Sequence, residues 1–100
     1  MTMPRALAVS RVTVLPPAQA EYLELIGRLA RLSESRGRHL WLFRMPGRPD
    51  AFLECSESRS RELHRAVGEK SEDEMRLEGR LRELASYQPD AWELWEEVAL

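Results

Sequence analysis

The stretch His39-Leu40-Trp41-Leu42-Phe43-Arg44-Met45 decides how this chain folds. Successive side chains of a strand point to opposite faces, so His39, Trp41 and Phe43 share one side while Leu40, Leu42 and Arg44 share the other. Both sides are largely apolar. A strand with water on one face alternates between apolar and polar residues, so this one belongs to a sheet whose second face is covered by something other than solvent.

After Met45, Pro46-Gly47-Arg48-Pro49-Asp50 forces a turn, and residues 51–56 resume as a strand, which makes a hairpin with a longer loop. Upstream, residues 10–15 read Ser-Arg-Val-Thr-Val-Leu and form a strand that Pro16 and Pro17 stop. Pro17 suits the first turn of a helix. Tyr22, Leu25, Ile26, Leu29 and Leu32 then give that helix one apolar stripe, ending near Arg36 with Gly37 as the stop.

Downstream of the hairpin, a helical region starts at Ser58 or Ser60 and carries Leu63, Ala66 and Val67 to Gly68. It restarts where Ser71 and Glu74 have the spacing of a capping box, with Leu77, Leu81, Leu84 and Ala85 as its stripe. The tail, residues 91–100, reads as a strand or a short amphipathic helix. Trp92, Trp95 and Val98 and the need for a fourth strand favour the strand. The order is β-α-β-β-α-β, an α+β ferredoxin-like arrangement with a four-stranded antiparallel sheet and helices on one face. Residues 1–9 are expected to be an extension and 10–100 a single domain.

The chain has 100 residues, 43% of them hydrophobic and 32% charged, with three tryptophans, which suffices for one core and argues against disorder. A formal charge of -2 provides no general attraction to phosphate backbones, so no nucleic-acid partner is expected. The single cysteine, Cys55, cannot close an internal disulfide and has no metal-type spacing. The apolar run at residues 6–9 is shorter than that of a signal peptide, and nothing approaches the roughly 20 apolar residues of a membrane span. These features point to the cytoplasm, with no membrane partner. Arginine makes up all the basic residues except Lys70, a bias of GC-rich genomes rather than of mechanism.

Helices on one side cannot shield a sheet that is apolar on both. A twofold homodimer that stacks the two uncovered faces is the simplest cover.

The element order, the hairpin ending Phe52-Leu53-Glu54-Cys55-Ser56-Glu57, the helix with Leu63-His64, the second helical piece and the tail Trp92-Glu93-Leu94-Trp95-Glu96-Glu97-Val98 resemble the dimeric α/β-barrel proteins. They are similar in particular to the antibiotic-biosynthesis-monooxygenase-like group. The resemblance covers residues 10–98 and implies a pocket between sheet and helices that takes a small apolar or aromatic compound. In active members it implies an asparagine on the first strand, a tryptophan where the third strand leaves for the helix, and a histidine on that helix. This chain contains no asparagine, has Cys55-Ser56-Glu57 in the tryptophan region, and matches only at His64.

The candidate site residues follow. His64 can act as a base, since an imidazole exchanges protons near neutral pH. Glu54, between apolar neighbours on a strand, has its pKa raised if it points inward, or pairs with Arg44 across the hairpin. Trp41, Phe43 and Phe52 are expected to line the pocket and stack on a flat ligand, or else to pack the core or the dimer. Cys55 reads as a small buried strand residue and His39 as a strand-end residue. Arg28, Arg31, Arg36 and Arg38 can meet an anionic ligand or partner, although interspersed acids neutralise much of their field. No metal site, cofactor motif or phosphate loop is present in the sequence pattern. The alternative to a ligand-binding, monooxygenase-like homodimer is a noncatalytic module that uses its aromatic face to dimerise or to dock another protein.

Overall fold

The computed structural model describes residues 4–65 and 71–100, and side chains throughout these except at residues 64 and 65. The elements run β1 (Ala6–Thr13), α1 (Pro16–Glu34), β2 (Arg38–Met45), β3 (Arg48–Ser58), α2 (Arg61–Arg65), α3 (Glu72–Leu84), β4 (Ser86–Tyr87) and β5 (Leu94–Glu96). Five strands form one antiparallel sheet in the order β2-β3-β1-β4, with β5 also on β1. This is the α+β ferredoxin-like fold, and α1 and α3 pack on one face of the sheet.

The local chemistry sets the boundaries. α1 begins at Pro16-Pro17, where the missing N–H groups would have had no helical partner. It gives way to Gly37, whose φ of 74° turns the chain into β2 without the strain a side chain would suffer. Ser71 caps α3, its hydroxyl accepting from the Glu74 N–H at 3.2 Å, while Ser60 accepts from the Leu63 N–H at the same distance. Ala66, Val67 and Gly68 lie outside the described residues.

Three boundaries differ from the sequence reading. β1 starts at Ala6, not Ser10, so residues 6–9 are sheet rather than extension; Ala6 pairs with Ser58 and Val9 with Cys55. The hairpin loop is a tight Pro46-Gly47 turn with Gly47 at φ 80°, and the ladder register shifts between Arg44 and Met45. Proline followed by a positive-φ glycine is the type II pattern, whose twist does not match a regular two-residue hairpin, and the register shift absorbs the mismatch. The fourth strand is divided: β4 pairs with Val12 and Thr13, β5 with residues 6–8, and the turn at residues 89–92 separates them. Pro89 in that turn has no N–H to give to the ladder.

Register assigns every sheet residue to a face. Toward the helices point Val12, Ser10, Ala8 and Ala6 of β1, opposite Phe52, Glu54, Ser56 and Ser58 of β3, which in turn face Arg44, Leu42, Leu40 and Arg38 of β2. The large members gather at one end, where Val12 and Phe52 join Val14, Tyr22, Leu25, Ile26, Leu77 and Leu81 in the core. At the other end stand Ala6, Ala8, Ser10, Ser56 and Ser58. Helices held at a fixed height by the core therefore leave space above these small residues.

The opposite face carries Leu7 and Val9 of β1, Leu53 and Cys55 of β3, Trp41 and Phe43 of β2 and Trp95 of β5. Among the described residues no element covers them, and Trp41, Phe43 and Trp95 are 40%, 55% and 60% exposed. Among the described residues no helix is long and apolar enough to cross a membrane.

Candidate functional site

Glu54 stands in the middle of β3, between Ser10 and Leu42 in the ladder, with its carboxyl toward the helices. Two phenols converge on it. The hydroxyls of Tyr22 on α1 and Tyr87 on β4 each donate to Glu54 Oε2 at 2.7 Å. Tyr22 is fully buried on the α1 stripe and its ring lies 5.4 Å from that of Phe52, so its hydroxyl has one place to go. Tyr87 follows β1 along the sheet edge and is stacked on Trp92 at 5.0 Å, with the Arg82 guanidinium 5.3 Å above the Trp92 ring. Trp92 holds this position at φ 71°, the one non-glycine residue with positive φ among those described.

Burial pushes the Glu54 carboxyl above its ordinary value near 4.5, and the nearby Glu78 adds to this; the two phenol hydrogen bonds oppose it. Both tyrosines shift up as well, through burial first and the Glu54 charge second, so the phenols stay protonated and act as donors. The Glu54 carboxyl oxygen Oε1 accepts no hydrogen bond among the described residues. A carboxyl with one oxygen held by two phenols and its pKa raised by burial can take up or return a proton.

The site opens on a chamber of about 350 Å³ between sheet and helices. Its floor is Ala8, Ser10, Leu40 and Ser56, and its roof is Leu29 and Ser33 of α1 with Glu74, Glu78, Leu81 and Arg82 of α3. Arg38 and Trp92 complete the wall. Glu74, buried at the start of α3, pairs with Arg36 Nε at 2.9 Å rather than reaching back to Ser71, and this ties α3 to the end of α1. Among the described residues no group of three or more ligating side chains could hold a metal ion.

The sequence-predicted residues fall into three places. Glu54 is in the chamber, paired with tyrosines and not with Arg44, which lies opposite Phe52 and rests 4.9 Å above its ring. Phe52 is core beside Tyr22. Trp41 and Phe43 were expected to line the same pocket and do not: the two-residue period of β2 puts them on the outer face. Phe43 and Phe52 both border a second hollow of about 550 Å³ beside the Pro46-Gly47 turn, whose ionisable groups are Arg11, Arg44 and Arg48, with no acid or base able to exchange a proton near neutral pH. The side chain of His64 lies outside the described residues. Cys55 is on the outer face, where burial and then Glu54 push its thiol up, away from the nucleophilic thiolate. His39 Nδ1 lies 3.6 Å from Glu34, and its ring meets Trp41 edge-on at 4.4 Å.

Tyr22, Tyr87 and Trp92 were missed as site residues. The signal for Tyr22 was a hydroxyl on an otherwise apolar helix stripe.

No protein-family model matches this chain, and no curated protein does. Solved structures of the same fold do. A conserved protein of unknown function from Bacteroides thetaiotaomicron, described as a possible oxidoreductase, is 23% identical with a TM-score of 0.77, covering 97% of this chain and 100% of its own. SnoaB, a cofactor-independent oxygenase from Streptomyces nogalater, is 18% identical with a TM-score of 0.76, covering 97% and 94%. A Caulobacter crescentus protein provisionally assigned as an antibiotic biosynthesis monooxygenase is 13% identical with a TM-score of 0.76, covering 98% and 93%.

Proposed function

We propose that this chain, which has the ferredoxin-like fold of the antibiotic-biosynthesis-monooxygenase-like proteins, is a homodimeric domain that binds a small aromatic or apolar compound in the chamber between sheet and helices. The observation that carries the reading is the Glu54 carboxyl, held by Tyr22 and Tyr87 on the wall of that chamber. Glu54 exchanges a proton with a bound hydroxyl through Oε1, Tyr22 and Tyr87 fix its orientation, and Trp92 with Tyr87 offers aromatic faces to a flat ligand. The likeness to SnoaB supports an oxygenase-type chemistry with no resident cofactor. The lone cysteine suits the cytoplasm.

The homodimer forms through the outer face. Burying a large aromatic side chain stabilises by roughly 1.5–3 kcal/mol, and Trp41, Phe43 and Trp95 stand largely outside the monomer's own core. A second reading takes that face as the whole function: a module without catalysis that pairs with itself or another protein. Calorimetric titration with 2-naphthol separates the two. Binding that Ser56→Phe abolishes, in a variant that melts normally, supports the chamber; absence of binding to the wild type leaves the interaction module.

A further inference from the structure

The chamber has a second polar end. Arg38 opens β2 on the same face as Glu54, four residues from Leu42, the ladder partner of Glu54; at about 3.3 Å per residue the two rows stand about 13 Å apart. Between these rows lies the row of Leu40, Ser56 and Ala8, and the small Ser56 and Ala8 leave the floor low beside Leu40.

Arg38 is a cation short of partners. Among the described residues no carboxylate lies within salt-bridge distance of it. Its Nε is buried with no hydrogen-bond partner, and its Nη2 reaches only Ser56 Oγ at 3.5 Å, at the limit of a hydrogen bond. Of the two acids in the roof, Glu74 is already engaged by Arg36, and Glu78 lies near enough to Glu54 and Tyr87 to act on their charge. Arg82, the other cation of the lining, is laid over Trp92. A partly buried guanidinium with no counter-charge among the described residues is costly, and its planar fork of donors matches a carboxylate.

We infer that the natural ligand is an elongated molecule with a carboxylate at the Arg38 end and a hydroxyl at the Glu54 end. This rests on the chamber reading above and names the ligand class that reading left open. Arg38 is then the specificity-determining residue: it selects acids from neutral compounds of the same shape, with Ser56 beside it as a further donor.

The test compares 6-hydroxy-2-naphthoate, whose hydroxyl and carboxylate leave opposite ends of a rigid double ring, with 2-naphthol, which lacks the carboxylate. Calorimetric titration of the full chain is expected to give a preference for the acid of about tenfold to a hundredfold, the span of a hydrogen bond to a charged group. Arg38→Gln, or Arg38→Met should the glutamine variant not fold, is expected to bring the two affinities to within about threefold, because an uncharged side chain discriminates far less between the acid and the neutral compound. A wild type with no preference, or a preference that survives both variants, overturns the inference. If 2-naphthol binds and Ser56→Phe excludes it while the preference ignores Arg38, this inference falls and the chamber reading stands. If neither compound binds the wild type, both fall.

Discussion

The Tyr22 hydroxyl and the Glu54 carboxyl meet at 2.7 Å between α1 and β3, 32 residues apart in sequence. The bond spans the two layers of the fold and leaves a fully buried phenol satisfied. Tyr22→Phe is expected to destabilise the chain by about 1.5–3 kcal/mol, the range for a hydrogen bond to a charged group. Tyr87→Phe should cost less, because Tyr87 is only half-buried. Urea unfolding measures both; a Tyr22→Phe midpoint equal to that of the wild type contradicts the assignment.

Glu54 should also govern a pH dependence. Burial raises its folded pKa above the unfolded value near 4.5, so the folded chain holds that proton more tightly. The resulting stabilisation is complete below pH 4.5 and is lost as pH rises through the folded value. Glu54→Gln removes the titration and can still accept from both phenols. The melting temperature of Glu54→Gln minus that of the wild type should therefore grow from acid toward neutral pH. Glu21 and Glu97, held low by Arg80 and Arg5, are common to both proteins and cancel in the difference. A difference that is flat with pH contradicts the shift.

Arg36 and Glu74 form an unequal pair, with side chains 32% and 5% exposed. Removing the arginine strands a buried carboxylate, whereas removing the glutamate leaves a guanidinium that reaches water. Arg36→Ala should thus cost about 2–4 kcal/mol and Glu74→Ala about 1–2 kcal/mol. Denaturant melts at neutral pH check the order; equal losses would mean that the burial of Glu74 does not decide the energetics.

Trp41 stands on the uncovered face next to His39. Trp41→Ala is expected to weaken self-association by about 2 kcal/mol or more, as truncating an aromatic at the centre of an interface does. Sedimentation should then find monomer at concentrations where the wild type is dimeric. A dimer of unchanged strength removes Trp41 from the interface.

The sequence disclosed the fold because its cues were local: proline pairs, the Ser71 cap, the stripes of α1 and α3, and a β2 strand apolar on both sides. The start of β1 was less legible because Ala6 and Ala8 are small enough to read as a tail, and the break in the fourth strand depends on where Pro89 falls against β1. Glu54 was found as a candidate because an acid among apolar strand residues is conspicuous. Its partners were not, since Tyr22 and Tyr87 reach it only through register and helix packing. Alternation already separated Trp41 and Phe43 from Leu40 and Leu42, and applying it across the hairpin would have put Glu54 with the leucines.

Under the proposed function, a ligand enters the chamber that the carboxyl of Glu54 faces. The most direct measurement is the carbon-13 resonance of the Glu54 carboxyl, identified by its loss in Glu54→Gln, followed while 2-naphthol is added. This resonance is expected to move and to saturate with the dissociation constant that calorimetry gives. A chain that saturates with 2-naphthol while the Glu54 signal stays still would contradict the proposed function.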